Sequence, residues 1–91
     1  MATIILEHHF EDRPFDVDRY RDAQVRNASC LDIHGVRHVV SYITPDRRRM
    51  ICVFEAPDAE AVRQTSRQLG YSYDSVWLAT EVRDAAEGAG E

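Results

Sequence analysis

The chain predicts an α+β domain, four short strands and two helices in the order β-α-β-β-α-β. Runs rich in β-branched and aromatic residues, Thr3–Phe10, Val36–Thr44, Met50–Glu55 and Val76–Val82, alternate with segments whose apolar residues recur at helical spacing. Each junction is also punctuated by Pro, Asp or Gly where a break or a cap is needed. Size agrees with the pattern: 91 residues suffice for one two-layer core and leave no room for a second.

The elements follow in order. Thr3 to Phe10 opens β-branched and apolar and is the first strand. Pro14 breaks the chain, and Asp16 stands where an N-cap belongs, with Asp18 in the first turn. Val17, Tyr20, Gln24, Ala28 and Leu31 then recur at helical spacing, with Ala23 widening the stripe, until His34 and Gly35 end the helix. Val36 to Thr44 is the second strand, and Pro45-Asp46 with the arginines behind it forms a hairpin loop into Met50–Glu55. Pro57-Asp58 stops that strand and caps a second helix with Glu60 in its first turn. Ala59, Val62, Ser66 and Leu69 make its buried face, and Gly70 closes it. The polar loop Tyr71-Ser72-Tyr73-Asp74 leads to the fourth strand. Right-handed crossovers and the tight hairpin turn this order into a ferredoxin-like sandwich: an antiparallel four-stranded sheet, order 4-1-3-2, with two helices on one face. The domain spans 1–83. The tail 84–91 is small and acidic, has nothing to bury, and is expected to be disordered.

Composition narrows the function. With 44% hydrophobic and 30% charged residues, the chain matches neither a disordered segment nor a membrane protein. No apolar run approaches the ~18–20 residues of a spanning helix. Net charge is −5, and all 11 basic residues are arginine. Their one cluster, Arg47-Arg48-Arg49, reads as a solvated turn. An acidic domain lacks the field that phosphate binding uses, so neither nucleic acid nor a membrane is an expected partner. Met1 to Leu6 reaches Glu7 without a basic n-region, so no signal peptide is expected. Cys30 and Cys52 are too few and too far apart for a disulfide scaffold or a CxxC knuckle. They are expected as reduced thiols in a cytoplasmic protein, Cys30 in a packing role.

Alternation along the strands assigns faces. Ile4, Leu6, Val39, Ser41, Ile43, Ile51, Val53, Val76, Leu78 and Val82 form a nearly aliphatic set, expected under the helices. Ile5, Glu7, His9, His38, Val40, Tyr42, Met50, Cys52, Phe54, Trp77, Ala79 and Glu81 form the other set, which no helix covers. So large an apolar patch invites a second copy, sheet against sheet across a two-fold axis, a dimeric α+β barrel-type association. Tyr42, Cys52, Phe54 and Trp77 would line the space between the sheets. Glu7, His9 and His38 would be its ionisable groups, needing a partner, a ligand or a shifted pKa. Taking the first and third strands as parallel neighbours places Cys52 near Glu7 and Phe54 near His9. His9 and His38 then share one end of the face, roughly 10 Å apart at backbone level. His8 must point opposite to His9, so the pair cannot chelate as a unit. His34 reads as a helix-end residue, and Glu55 and Glu81 as structural pairing groups. No Ser-His-Asp order, Gly-rich phosphate loop, HExxH or dinucleotide fingerprint is present.

Three functions fit these residues. One is a binding protein for a metal or small molecule. Another is a cofactor-independent enzyme, a cyclase, isomerase or monooxygenase-like catalyst acting on a hydrophobic molecule. It would use Glu7 or His38 as acid/base and Trp77, Phe54 and Tyr42 as walls. The third is a plain dimerisation module.

Ser41-Tyr42, the turn containing Asp46, Cys52-Val53-Phe54-Glu55-Ala56-Pro57 and Glu60-Ala61-Val62-Arg63 together resemble a family of small bacterial ferredoxin-like proteins. That family is described as nickel-binding and is otherwise known as a domain of unknown function. The similarity runs from about Thr3 to Val82, is most specific from Ser41 to Val62, and takes in Glu7. It implies a ferredoxin-like homodimer with an octahedral nickel site and leaves the ligands open. Leu69-Gly70-Tyr71-Ser72-Tyr73-Asp74-Ser75 departs from the family's Ala-Gly-Leu-Pro-type turn, which leaves room for a different ligand. The leading expectation is therefore a cytoplasmic homodimer that binds nickel or another divalent transition metal through His9, His38 and Glu7, with no organic cofactor.

Overall fold

Two aspartates start helices and two glycines stop them. Asp16 accepts the backbone N–H groups of Asp18 and Arg19 at 3.1 Å each, and Asp58 accepts that of Ala61 at 2.8 Å. Gly35 and Gly70 take the left-handed conformation, with φ of 69° and 76°, which only glycine adopts without cost. The computed structural model describes residues 1–11, 14–26 and 28–83. They form β1 (Ala2–His9), α1 (Val17–Arg26), α2 (Ala28–Ile33), β2 (Arg37–Ile43), β3 (Arg49–Ala56), α3 (Ala59–Leu69) and β4 (Ser75–Ala79). Three helices stand where two were expected, since the first helical segment is divided between α1 and α2. The acidic tail 84–91 and the packing expected of Gln24, Ala28 and Cys30 lie outside the described residues.

The sheet runs β2-β3-β1-β4, which from its other edge reads 4-1-3-2. Every neighbouring pair is antiparallel. That corrects the expected parallel pairing of β1 with β3. The helical crossover returns β2 parallel to β1, and the hairpin then reverses β3, so β3 must oppose β1. Leu6 therefore faces Cys52 and Ile4 faces Phe54, while His9 pairs with Arg49 and Glu7 with Ile51.

This register also reverses the expected phase of β3. Directly opposed residues share a face, so Met50, Cys52 and Phe54 lie beside Leu6 and Ile4 under the helices, where all are buried. Ile51 and Val53 are on the open side. β2 carries a bulge at Val39: His38 pairs with Phe54, yet Val40 pairs with Val53 and Ser41 with Cys52. The extra residue inverts the alternation. His38 thus joins Ser41 and Ile43 on the helix side, contrary to its expected place on the open face. β4 ends at Ala79, so Glu81 and Val82 belong to neither face; Glu81 pairs with Arg83 beyond the sheet.

Ile4, Ala56 and Val62 are fully or almost fully buried at the centre of the core, surrounded by Leu6, Val36, Met50, Cys52, Phe54 and Val76. The sheet supplies most of this set. From α3 only Val62, Thr65 and Ser66 are buried, and the two polar ones are small. Phe15, Tyr20 and Leu31 pack against the core from the α1–α2 side only partly buried. Among the described residues, the helices thus bury fewer large side chains than the sheet beneath them. No helix among the described residues is long and apolar enough to cross a membrane.

Candidate functional site

The open face has an apolar centre and a charged border. Ile5, Val53, Val40, Ile51, Tyr42 and Trp77 share it by register, and Tyr42 and Trp77 are 64% and 45% exposed. Arg37 and Glu55 form an ion pair at one end. At the other stand Glu7, His9 and Arg49. Glu7 accepts the Ser75 hydroxyl at 3.2 Å and lies 3.5 Å from the Arg49 guanidinium. His9 follows Glu7 by two residues, so both side chains leave the same side of β1 about 7 Å apart along the strand. The His9 N–H donates to the Asp74 carboxylate at 2.5 Å, which ties β1 to the loop before β4.

The arginine run does more than solvate a turn. Arg48 donates to the carbonyls of Phe10 and Glu11, at 3.3 and 2.8 Å, while Arg49 reaches Glu7. Asp46 holds the hairpin by accepting from the Thr44 hydroxyl and the Arg48 N–H, which keeps its carboxyl below the ordinary range.

On the opposite side of the sheet lies a cavity of about 230 Å³ between β1, β2, β3 and the helices. Aromatic rings form one wall: His8 stacks on Phe10 at 4.2 Å, Phe10 on Phe15 at 4.8 Å, and Phe15 meets Tyr20 edge-on at 5.1 Å. Cys52 and Phe54 line it from β3. A second lobe of about 250 Å³ adjoins it, sharing Phe15, Tyr20, His38 and Met50.

Polar side chains gather where the lobes meet: Tyr20 and His38 line both, Cys52 the first and Ser41 the second. The Val39 bulge puts Ser41 within 2.7 Å of His38 Nε2; in a regular strand they would face opposite ways. Ser41 also bears on the Tyr20 hydroxyl and the Cys52 thiol, which are 3.7 Å from each other. Burial raises the Cys52 and Tyr20 pKa values and lowers that of His38. Burial thus favours the uncharged forms of Tyr20, His38 and Cys52 and disfavours the Cys52 thiolate that binds metals or attacks electrophiles.

The expected site residues thus divide between the two sides of the sheet. Glu7, His9, Tyr42 and Trp77 occupy the open face; His38, Cys52 and Phe54 lie beneath the helices and do line a cavity, though one inside the protomer. Tyr42 and Trp77 line neither lobe. The two acid/base candidates, Glu7 and His38, share no chamber, and His38 cannot join His9 around one ion. Sequence reasoning missed the meeting of His38 with Ser41 because it depends on the bulge, which no Gly or Pro marks.

A family model described as nickel responsive protein SCO4226-like matches residues 5–78. The chain belongs to the SCO4226-like family. Among solved structures, SCO4226 from Streptomyces coelicolor A3(2) is similar with a TM-score of 0.76 and 18% identity, covering 90% of this chain and 100% of that chain. At that identity the likeness is one of fold. No curated protein matches the sequence. The family's nickel-responsive description can be set against the donors present. No group of three or more His, Cys, Asp or Glu able to hold a metal forms among the described residues. The described donors of this SCO4226-like chain therefore form no such group, although Glu7 and His9 are of suitable chemistry.

Proposed function

We propose that the chain is a nickel-binding protein that works as a homodimer, its open sheet face closed by a second copy. The observation that carries this reading is the placement of Glu7 and His9 side by side at the border of an exposed apolar sheet face. Carboxylate and imidazole suit nickel, and a two-fold axis would bring a second such pair to enlarge the donor set. The apolar centre with a charged border has the anatomy of an interface. Arg49 would have to yield Glu7 to the ion, so nickel binding competes with that contact. Cys52, a free buried thiol, suits the cytoplasm we propose as the setting.

Calorimetric titration of the chelator-treated protein with nickel, zinc and copper tests the reading. Saturable nickel binding at a fixed ratio per dimer is expected, abolished in His9→Ala and Glu7→Gln and unaffected in His38→Ala. It should weaken at acidic pH, where protons compete for the ligands. Binding that survives both open-face changes, or no binding at all, refutes it.

A further inference from the structure

The cavity beneath the helices is independent of the open face and of any metal. We infer that it is a binding site for a small, uncharged aromatic molecule carrying one hydrogen-bonding group, held with its ring against Phe10 and Phe15 and its polar group at Tyr20, His38 and Ser41. Size sets the first limit. An apolar cavity of about 150 Å³ accepts benzene, so one of about 230 Å³ takes a substituted single ring or a small bicyclic.

Charge sets the second limit. No carboxylate or guanidinium lines this lobe among the described residues; Arg21 lines only the adjoining lobe, so an ion whose charge stays in the first would lose its hydration without a counter-charge beside it. The wall then decides between aliphatic and aromatic occupants. The row of rings from His8 to Tyr20 offers faces and edges for offset or edge-on stacking. Finally, the polar group has a defined destination. The Tyr20 hydroxyl is shared between Ser41 and the Cys52 thiol at 3.7 Å, the latter a weak hydrogen-bonding group. It can re-aim toward a better acceptor or donor, and Ser41 and His38 stand beside it. The small side chains Thr65 and Ser66 on α3, in place of large apolar ones, keep the space open.

The test is a nuclear magnetic resonance titration of the full-length protein with indole, with phenol and with benzoate. A chelator is present throughout, so that metal binding contributes nothing. Indole and phenol should give saturable shifts at the backbone amides of His38, Ser41 and Cys52, one molecule per chain. Benzoate should bind at least about tenfold more weakly. Tyr20→Phe and Ser41→Ala should each weaken indole by about tenfold, and Thr65→Leu, which fills the lobe from α3, should abolish binding. The wild-type titration decides on its own if a variant fails to fold. No saturable shift up to about 5 mM, generous for ligands this small, overturns the inference. So do shifts confined to Tyr42 and Trp77, or benzoate binding as tightly as indole.

Discussion

His38 shows how one side chain can make stability depend on pH. Its pKa is lowered by burial from the ordinary 6.5, so just below that pH the unfolded chain binds more protons than the folded one. Stability is complete above about pH 6.5 and falls as the pH drops from there toward the lower folded value. Urea denaturation at about pH 7.5 and about pH 5 should give a lower midpoint in acid, with a smaller drop in His38→Gln. The residue types that matter were all visible in the sequence. Their sides were not: the position of His38 depends on where the alternation of β2 breaks. Glu7 and His9 were placed correctly on the open face because β1 keeps a regular alternation through both.

At the scale of elements, the signals written in single residues held. Asp58 caps α3 and Gly70 ends it, with its N–H turned back to Arg67 and Ser66 carbonyls. Asp58→Ala should cost about 1 kcal/mol, read from the urea midpoint, without changing the slope of the transition. The strands were legible as strands, but β3 was not legible in phase. Met50-Ile51-Cys52-Val53-Phe54 is apolar at every position, so alternation carries no information there and only pairing with β1 sets the phase. The first helical segment was legible as helix from Val17, and the described residues carry it to Arg26 and again from Ala28 to Ile33.

For the whole molecule, chain order and crossover handedness sufficed to read the neighbours in the sheet. The direction of β1 relative to β3 follows from the same rules once the hairpin is traced, and the parallel assignment ignored that reversal. The cavity was sought between two sheets because an uncovered face was evident in the pattern. The space beneath α3 was not evident, since it depends on small Thr65 and Ser66 being buried over large sheet residues. Proposed closure of the open face by a second copy predicts that Trp77→Glu gives a monomer by sedimentation velocity where the parent protein is a dimer. Trp77 lies outside the buried core, so circular dichroism should be unchanged.

The irregularity at Val39 reaches beyond the meeting of His38 and Ser41. β2 is a boundary strand, with one side of its backbone unpaired within the sheet, and such a rim is a template on which foreign strands can grow. A kink there, with charged Arg37 just before it, spoils the straight row of donors and acceptors that a growing fibril needs. The same extra residue that brings His38 to Ser41 thus makes this rim a poor template for runaway polymerisation.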